Sequence, residues 1–267
     1  MSFSLPDDIP AETLERKTGF AGMKKIGHVK QLWRYPVSSL GGEACGSTFV
    51  DENGLSGDRQ FGLFDADGIL AAPEKDPRWR PALFLSSWID EEGKTYIRFP
   101  DGAEFRVSDA ELHDRLSAHF GFAVSVGQYA DVTANLEPRL PVISRSYAAS
   151  PLHLLTTGSL KMLEGQLASK EADARRFRPS LLLATEEEDG FIEDSWIGAI
   201  LHIGNVRAIV IERTKRCGMT LIAQPDLPEQ PDVLRTILRN NHRCLGIYCD
   251  IIDNGIVKVG SDVFIEG

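Results

Sequence analysis

Nowhere in this chain do about eighteen apolar residues run together, so the sequence offers no segment for a membrane-spanning helix. The opening Met1-Ser2-Phe3-Ser4-Leu5-Pro6-Asp7-Asp8 lacks the basic and apolar regions of a signal peptide. Also missing are a CxxC pair, an HExxH or GxSxG motif, a Walker loop and a GxGxxG turn. Zinc ribbons, zinc proteases, Ser-His-Asp hydrolases and the common nucleotide-phosphate cradles thereby lose their usual signatures. The six histidines (His28, His113, His119, His153, His202, His242) have no metal-like spacing. Cysteine is scarce, with four residues (Cys45, Cys217, Cys244, Cys249), and a chain this long does not need disulfide staples. The expectation is a soluble protein of a reducing compartment, cytoplasmic, without a membrane partner. Positive charge is also in deficit: 29 Lys and Arg against 39 Asp and Glu give −10, which argues against general nucleic-acid binding.

The remaining composition, 42% apolar and 25% charged, is that of an ordinary globular protein. At 267 residues there is room for one large domain or two of roughly 120 to 140 residues. Residues 1–23 are polar, carry Pro6 and Pro10, and read as a loosely ordered arm. Strands are predicted at 26–33, 47–50, 59–64, 96–99 and 104–107, with turns at Asp51-Glu52-Asn53-Gly54, Ala66-Asp67-Gly68 and Pro100-Asp101-Gly102. Strands this short and frequent suggest a barrel or sandwich. Ser108 and Glu111 read as a capping box opening a helix that buries Leu112, Leu116 and Phe120 and stops at Gly121. Periodicity is lost over 127–141, which places a domain boundary near 135–145.

In the second half, Leu160, Leu163 and Leu167 mark a helix starting near Gly158 or Ser159, and 181–184 reads as a buried strand. A hairpin is predicted at 201–211, broken at Gly204-Asn205, and another at Asn254-Gly255. A helix over 231–239 has proline in its first position and turns Val233, Leu234, Ile237 and Leu238 inward. The fold class is mainly β with a few helices (α+β).

Thr214-Lys215-Arg216-Cys217-Gly218-Met219-Thr220 sets a thiol beside two cations, which favours the thiolate that ligates soft metals or carries sulfur. An inert cysteine with its cations turned to solvent is the equal alternative, since neighbouring strand residues face opposite sides. The run Arg175-Arg176-Phe177-Arg178-Pro179 could present guanidinium groups to phosphate, or could pair with the acidic run Glu186-Glu187-Glu188-Asp189. Arg59 has the same two readings, with Asp58 as its neighbour. Alternation assigns Cys249 to the core, and Cys244 has His242 nearby without a second ligand pair.

Five segments, in this order, resemble the MOSC domain family preceded by its N-terminal β-barrel region. They are Tyr35-Pro36-Val37-Ser38-Ser39-Leu40, Gly54-Leu55-Ser56-Gly57-Asp58-Arg59-Gln60-Phe61, Arg175-Arg176-Phe177-Arg178-Pro179, Phe191-Ile192-Glu193-Asp194-Ser195-Trp196-Ile197-Gly198 and Arg216-Cys217-Gly218-Met219-Thr220. The resemblance implies an arm at 1–23, a MOSC N-terminal β-barrel-like domain at 24–140 and a MOSC domain at 141–267. The latter would be a β-barrel similar to the pyruvate kinase β-barrel domain, preceded by a β-rich N-terminal domain. It further implies the molybdenum cofactor (molybdopterin), with Cys217 as the metal ligand and catalytic residue. Ser38, Ser39 and Arg59 would bind the cofactor from one side, and Thr156, Thr157, Arg178 and Ser180 from the other. Two positions depart from the family: Ser38 stands where members usually carry lysine, and Ser180 where they carry asparagine. The implied activity is an oxidoreductase reducing N-hydroxylated or similar small substrates. Because the sequence ends at Gly267 without an iron–sulfur domain, a separate electron-donor protein is expected. The alternative is a sulfur carrier bearing a persulfide on Cys217 for cofactor or metal–sulfur assembly.

Overall fold

The computed structural model describes residues 22–131, 137, 140–145, 150–185 and 190–266. Strand Met23–Arg34 opens a closed barrel of seven strands, running on through Leu181–Thr185, Leu152–Thr156, Cys244–Asp253, Val206–Lys215, Ile200–Ile203 and Asp262–Glu266 back to the first. All neighbours are antiparallel except Leu152–Thr156 and Leu181–Thr185, which run parallel and are joined through helix Thr157–Gln166. A crossover is what a parallel pair requires.

Alternation along the strands fills the barrel. Val29, Leu32, Leu152, Leu154, Leu181, Leu183, Leu201, Ile203, Ile247 and Val263 form one inner cluster. Cys249 lies in that cluster, as its strand phase predicts, and burial pushes its thiol up to about 12. Leu155, Leu182 and Leu245 belong to a second cluster, with Leu160 and Leu163 of helix Thr157–Gln166 and Val233 and Ile237 of helix Pro231–Asn240. The helices thus cover one side of the barrel, and Ala172, Ala174 and Phe177 pack in the same cluster.

A third cluster, with Val37, Leu40, Phe61, Leu63, Trp79 and Leu116, belongs to the N-terminal half. Its antiparallel pair joins Phe61–Asp65 to Val124–Tyr129, and helix Leu112–Phe120 contributes Leu112, Leu116 and Phe120. The two halves exchange strands. Met23–Arg34 is a barrel strand, while Gly255–Lys258 pairs with Ser47–Asp51.

Several local expectations are corrected. Helix Leu112–Phe120 begins after Ser108, and the preceding Glu111 makes no side-chain cap. Asp109 instead accepts the Arg106 N–H at 2.8 Å, closing a turn where the capping box was expected. The Gly121 stop is as predicted, left-handed at φ 77° with its N–H on the Ser117 carbonyl. Asn254-Gly255 does not close a hairpin, because the strand after it pairs with Ser47–Asp51 rather than with its predecessor. Glycine is needed there for close approach: a Cβ at 255 would lie 2.8 Å from the Asn205 carbonyl oxygen. Leu238 is 57% exposed, since helix Pro231–Asn240 buries only the face of Val233 and Ile237. The hairpin at Gly204-Asn205 is present. Residues 1–21 of the arm and the acidic run 186–189 lie outside the described residues. Among the described residues no helix is long and apolar enough to cross a membrane.

Candidate functional site

A cavity of about 690 Å³ is lined from both halves of the chain. Ser38, Ser39, Arg59 and residues 68–72 come from the N-terminal half, and His153, Arg178, Arg216, Cys217 and Tyr248 from the other. Local backbone chemistry builds the first wall. Asp58 accepts the Tyr35 N–H at 2.6 Å, and Tyr35 O accepts the Arg59 N–H at 2.8 Å, so the two loops are zipped together. Gly54 permits the turn before them, because a Cβ there would sit 2.2 Å from the Pro151 carbonyl oxygen.

The second wall starts with a short 3-10 turn, Ala174–Phe177, capped by the Asp173 carboxylate on the Arg175 N–H. This sorts the arginine run. Arg175 pairs with Asp173 at 2.8 Å. Arg176 is buried, with donors on the carbonyls of Pro228 at 2.6 Å and Ile222 at 3.5 Å. Arg178 places its guanidinium carbon 4.2 Å from the centre of the Tyr35 ring, and Arg59 lies 5.4 Å from the same ring. Arg59 also pairs with Asp58, as its neighbour suggested.

Three non-glycine residues lining this cavity adopt left-handed backbone: Ser39 at φ 69°, Arg59 at 47° and Arg178 at 51°. Each costs about 1 kcal/mol or more relative to ordinary backbone, and such strain concentrates where function needs a side chain aimed. The Ser38 hydroxyl is buried without a partner among the described residues, while that of Ser39 donates to the Ala71 carbonyl at 3.0 Å.

Cys217 stands just beyond strand Val206–Lys215, exposed and free. Its flanking cations separate as strand alternation requires. Lys215 is exposed, whereas Arg216 is buried and donates to the carbonyls of Leu245 at 2.9 Å and Phe177 at 3.2 Å and to His153 Nε2 at 2.7 Å. Burial lowers the Arg216 guanidinium to about 10, which leaves it charged at neutral pH. Burial, and then the charge of Arg216, hold His153 well below its ordinary value, so its imidazole is neutral.

The remaining residues named from the sequence do not line this cavity. Thr156 is buried, accepts the Ser159 N–H and donates to Glu193 Oε2 at 2.7 Å. Thr157 accepts the Thr185 N–H at 3.3 Å beside a separate hollow containing Lys30 and Lys161. Ser180, behind Arg178, donates its N–H to the His153 carbonyl and accepts the Trp33 N–H, tying two strands together. The roles of Tyr35 and His153 are not visible in the sequence. Tyr35 sits inside a quoted motif, but nothing in the spacing says that two guanidinium groups converge on it. His153 could have been flagged as a lone ring among the buried Leu152, Leu154 and Leu155. Glu193 is fully buried, and no pattern around it announces that Thr156 and Ser159 would both serve it. Cys244 is buried and bonds weakly to the His242 carbonyl at 3.6 Å; among the described residues no cluster of His, Cys, Asp and Glu could hold a metal.

A barrel completed by its first strand, with a cysteine at the mouth of a cleft shared with an N-terminal β half, is one of a known kind. The chain belongs to the MOSC domain family, which matches residues 117–264, and the MOSC N-terminal beta barrel domain matches residues 26–121. It is 25% identical to mitochondrial amidoxime reducing component 2 of Bos taurus, over 91% of this chain and 84% of that protein. The crystal structure of the YUAD protein from Bacillus subtilis superposes over 91% of this chain and 97% of its own, with a TM-score of 0.50 at 9% identity. That likeness shows the fold.

Proposed function

We propose that this chain holds the molybdenum cofactor in the cavity beneath Cys217 and serves as an oxidoreductase for small N-hydroxylated substrates, with electrons supplied by a separate protein. One observation carries the reading: a free, exposed thiol opens on the same cavity as two guanidinium groups from opposite halves of the chain, Arg59 and Arg178. The relationship to an amidoxime reducing component supports the substrate class.

The residues present fit such a group. A soft metal calls for a thiolate, which Cys217 would provide. A phosphate-bearing pterin calls for charge-assisted donors, which Arg59 and Arg178 would provide. The unpartnered Ser38 hydroxyl gives a further donor on the same wall, and Ser39 shapes the turn beside it. Thr156 and Ser180 would act from behind, the first by fixing the start of helix Thr157–Gln166 and the second by fixing the strand after Arg178. When bound, the cofactor supplies the redox chemistry. The protein's work is to bind, orient and shield: the Tyr35 ring is a common neighbour of both guanidinium groups, and the 690 Å³ hollow leaves room beside Cys217 for a small substrate.

Purification from a host that makes the cofactor, followed by elemental analysis and pterin fluorescence, tests the reading. Near-stoichiometric molybdenum in the native chain and its loss in Cys217→Ser support it; full molybdenum in Cys217→Ser removes the assigned ligand. The exposure of Cys217 favours a second reading, a persulfide carrier. A mass increase of one sulfur atom confined to Cys217, with no pterin, would select that reading instead.

A further inference from the structure

His153 is buried on strand Leu152–Thr156, and both of its ring nitrogens face groups of the cavity wall. Its Nε2 lies 2.7 Å from an Arg216 terminal nitrogen, and its Nδ1 lies 3.2 Å from the Arg178 carbonyl oxygen. Arginine can only donate, so Nε2 must be the bare acceptor; a neutral ring then carries its single proton on Nδ1, where a carbonyl awaits it. Both contacts need this tautomer, and the other would set donor against donor at Arg216 and lone pair against lone pair at Arg178.

The two contacts reach different working parts. Arg216 immediately precedes Cys217, and two more of its donors go to the Leu245 and Phe177 carbonyls. Arg178 projects over Tyr35 from a left-handed turn that the Pro179 which follows cannot help to anchor through an N–H. The ring is itself confined. Tyr248 packs at 5.4 Å between ring centres, and a Cβ at Gly246 would come within 3.0 Å of Nε2.

We infer that His153 is a positioning residue that, through its Nδ1–H tautomer, ties the Cys217 segment to the Arg178 turn so that thiol and anion-binding arginine move as one unit. It touches neither substrate nor cofactor in this role. The inference deepens the cofactor-site reading and rests on it only for the purpose of the coupling, because the geometry itself involves no bound group.

Two isosteric replacements separate the ring's two jobs. Glutamine can return the acceptor toward Arg216 but places no donor at the Arg178 carbonyl; asparagine can return that donor but no acceptor for Arg216. In cofactor-free protein, His153→Gln is expected to keep Cys217 alkylation by iodoacetamide near the native rate while amide exchange over residues 174–182 accelerates. His153→Asn should do the reverse, with faster alkylation and near-native exchange, and His153→Phe should raise both. Each change should be roughly threefold to tenfold, the weight of one lost hydrogen bond. A purely structural role would disturb both readouts alike in both replacements, and that pattern would overturn the inference. Long-range proton–nitrogen spectra of the native protein provide a test independent of any variant's folding: an Nδ1-protonated ring is expected, and an Nε2-protonated ring or an imidazolium overturns the proposal. Neither readout needs molybdenum. The crossed pattern in a protein that never binds cofactor would leave this inference standing and remove only the proposed function.

Discussion

The guanidinium of Arg178, from the C-terminal half, lies over the ring of Tyr35, from the N-terminal half, with 4.2 Å between its central carbon and the ring centre. Arg59 approaches the same ring at 5.4 Å. One aromatic side chain therefore gives both cations a shared π-system to lie against. Burial pushes the Tyr35 hydroxyl up to about 12 even against the pull of both cations, and that hydroxyl has no partner among the described residues.

The ring and the hydroxyl of Tyr35 can accordingly be separated. Tyr35→Phe keeps the surface under both arginines and removes an unsatisfied polar atom, so stability should stay within about 1 kcal/mol of native or improve. Tyr35→Leu leaves a void and removes the aromatic surface both guanidinium groups lie against, at a cost of about 2 to 4 kcal/mol. Urea unfolding midpoints distinguish the two, and cofactor retention should fall only in the leucine variant.

Arg59 and Arg178 reach the cavity from opposite halves and make a second test. Replacing either with glutamine keeps length and polarity but removes a charge-assisted donor, which should lower molybdopterin retention about tenfold or more. Arg175→Gln, whose arginine is paired with Asp173 and does not line the cavity, should retain it. Equal losses in all three would show that net charge, rather than aim, governs binding.

Glu193 offers a pH signature. Its carboxyl is raised from 4.5 chiefly by burial, although the Ser159 and Thr156 hydroxyls donate to it at 2.7 Å. The folded state therefore binds this proton more tightly than the unfolded chain does. The stabilisation is complete below the unfolded value and is lost as pH rises through the folded one. Glu193→Gln keeps an acceptor for both hydroxyls and has no proton to lose. Its unfolding midpoint relative to the native protein should thus climb as pH is raised above 4.5, and a constant difference would contradict the assignment.

Barrel closure depends on Gly27. Strand Met23–Arg34 pairs on both sides around this residue and shifts register near it, and a Cβ there would lie 2.0 Å from the Ala184 carbonyl oxygen. Gly27→Ala must push a backbone segment aside, with an expected loss of about 3 kcal/mol, comparable to overpacking a well-filled core. Gly68→Ala lacks such a neighbour and carries only the strain of its positive φ of 78°, so its loss should be smaller, about 1 kcal/mol. Thermal unfolding of the pair checks the order.

Much of the local structure was legible because it is decided by neighbours in sequence. The apolar spacing of Leu160, Leu163 and Leu167, the stop at Gly121, the turn at Gly204-Asn205 and the inward phase of Cys249 each follow from backbone geometry and period. Sequence and structure part where a distant segment intervenes. Asn254-Gly255 looks like a hairpin turn until Ser47–Asp51 claims the strand that follows, and Leu238 looks like a core residue until only one face of its helix is covered.

The candidate site divides along the same line. The motif around Cys217, the arginine run and the Gly-Asp-Arg turn ending at Arg59 could be read in the sequence by themselves, because their chemistry lies in residue type and immediate context. Which arginine faces the cavity could not. Tertiary structure decided that Arg175 pairs with Asp173, Arg176 supports a loop, Arg216 turns inward to His153, and, among the described residues, Arg59 and Arg178 converge on Tyr35. The physical reason is that a guanidinium goes wherever acceptors remain after the backbone has paired. That inventory exists only once the barrel has closed.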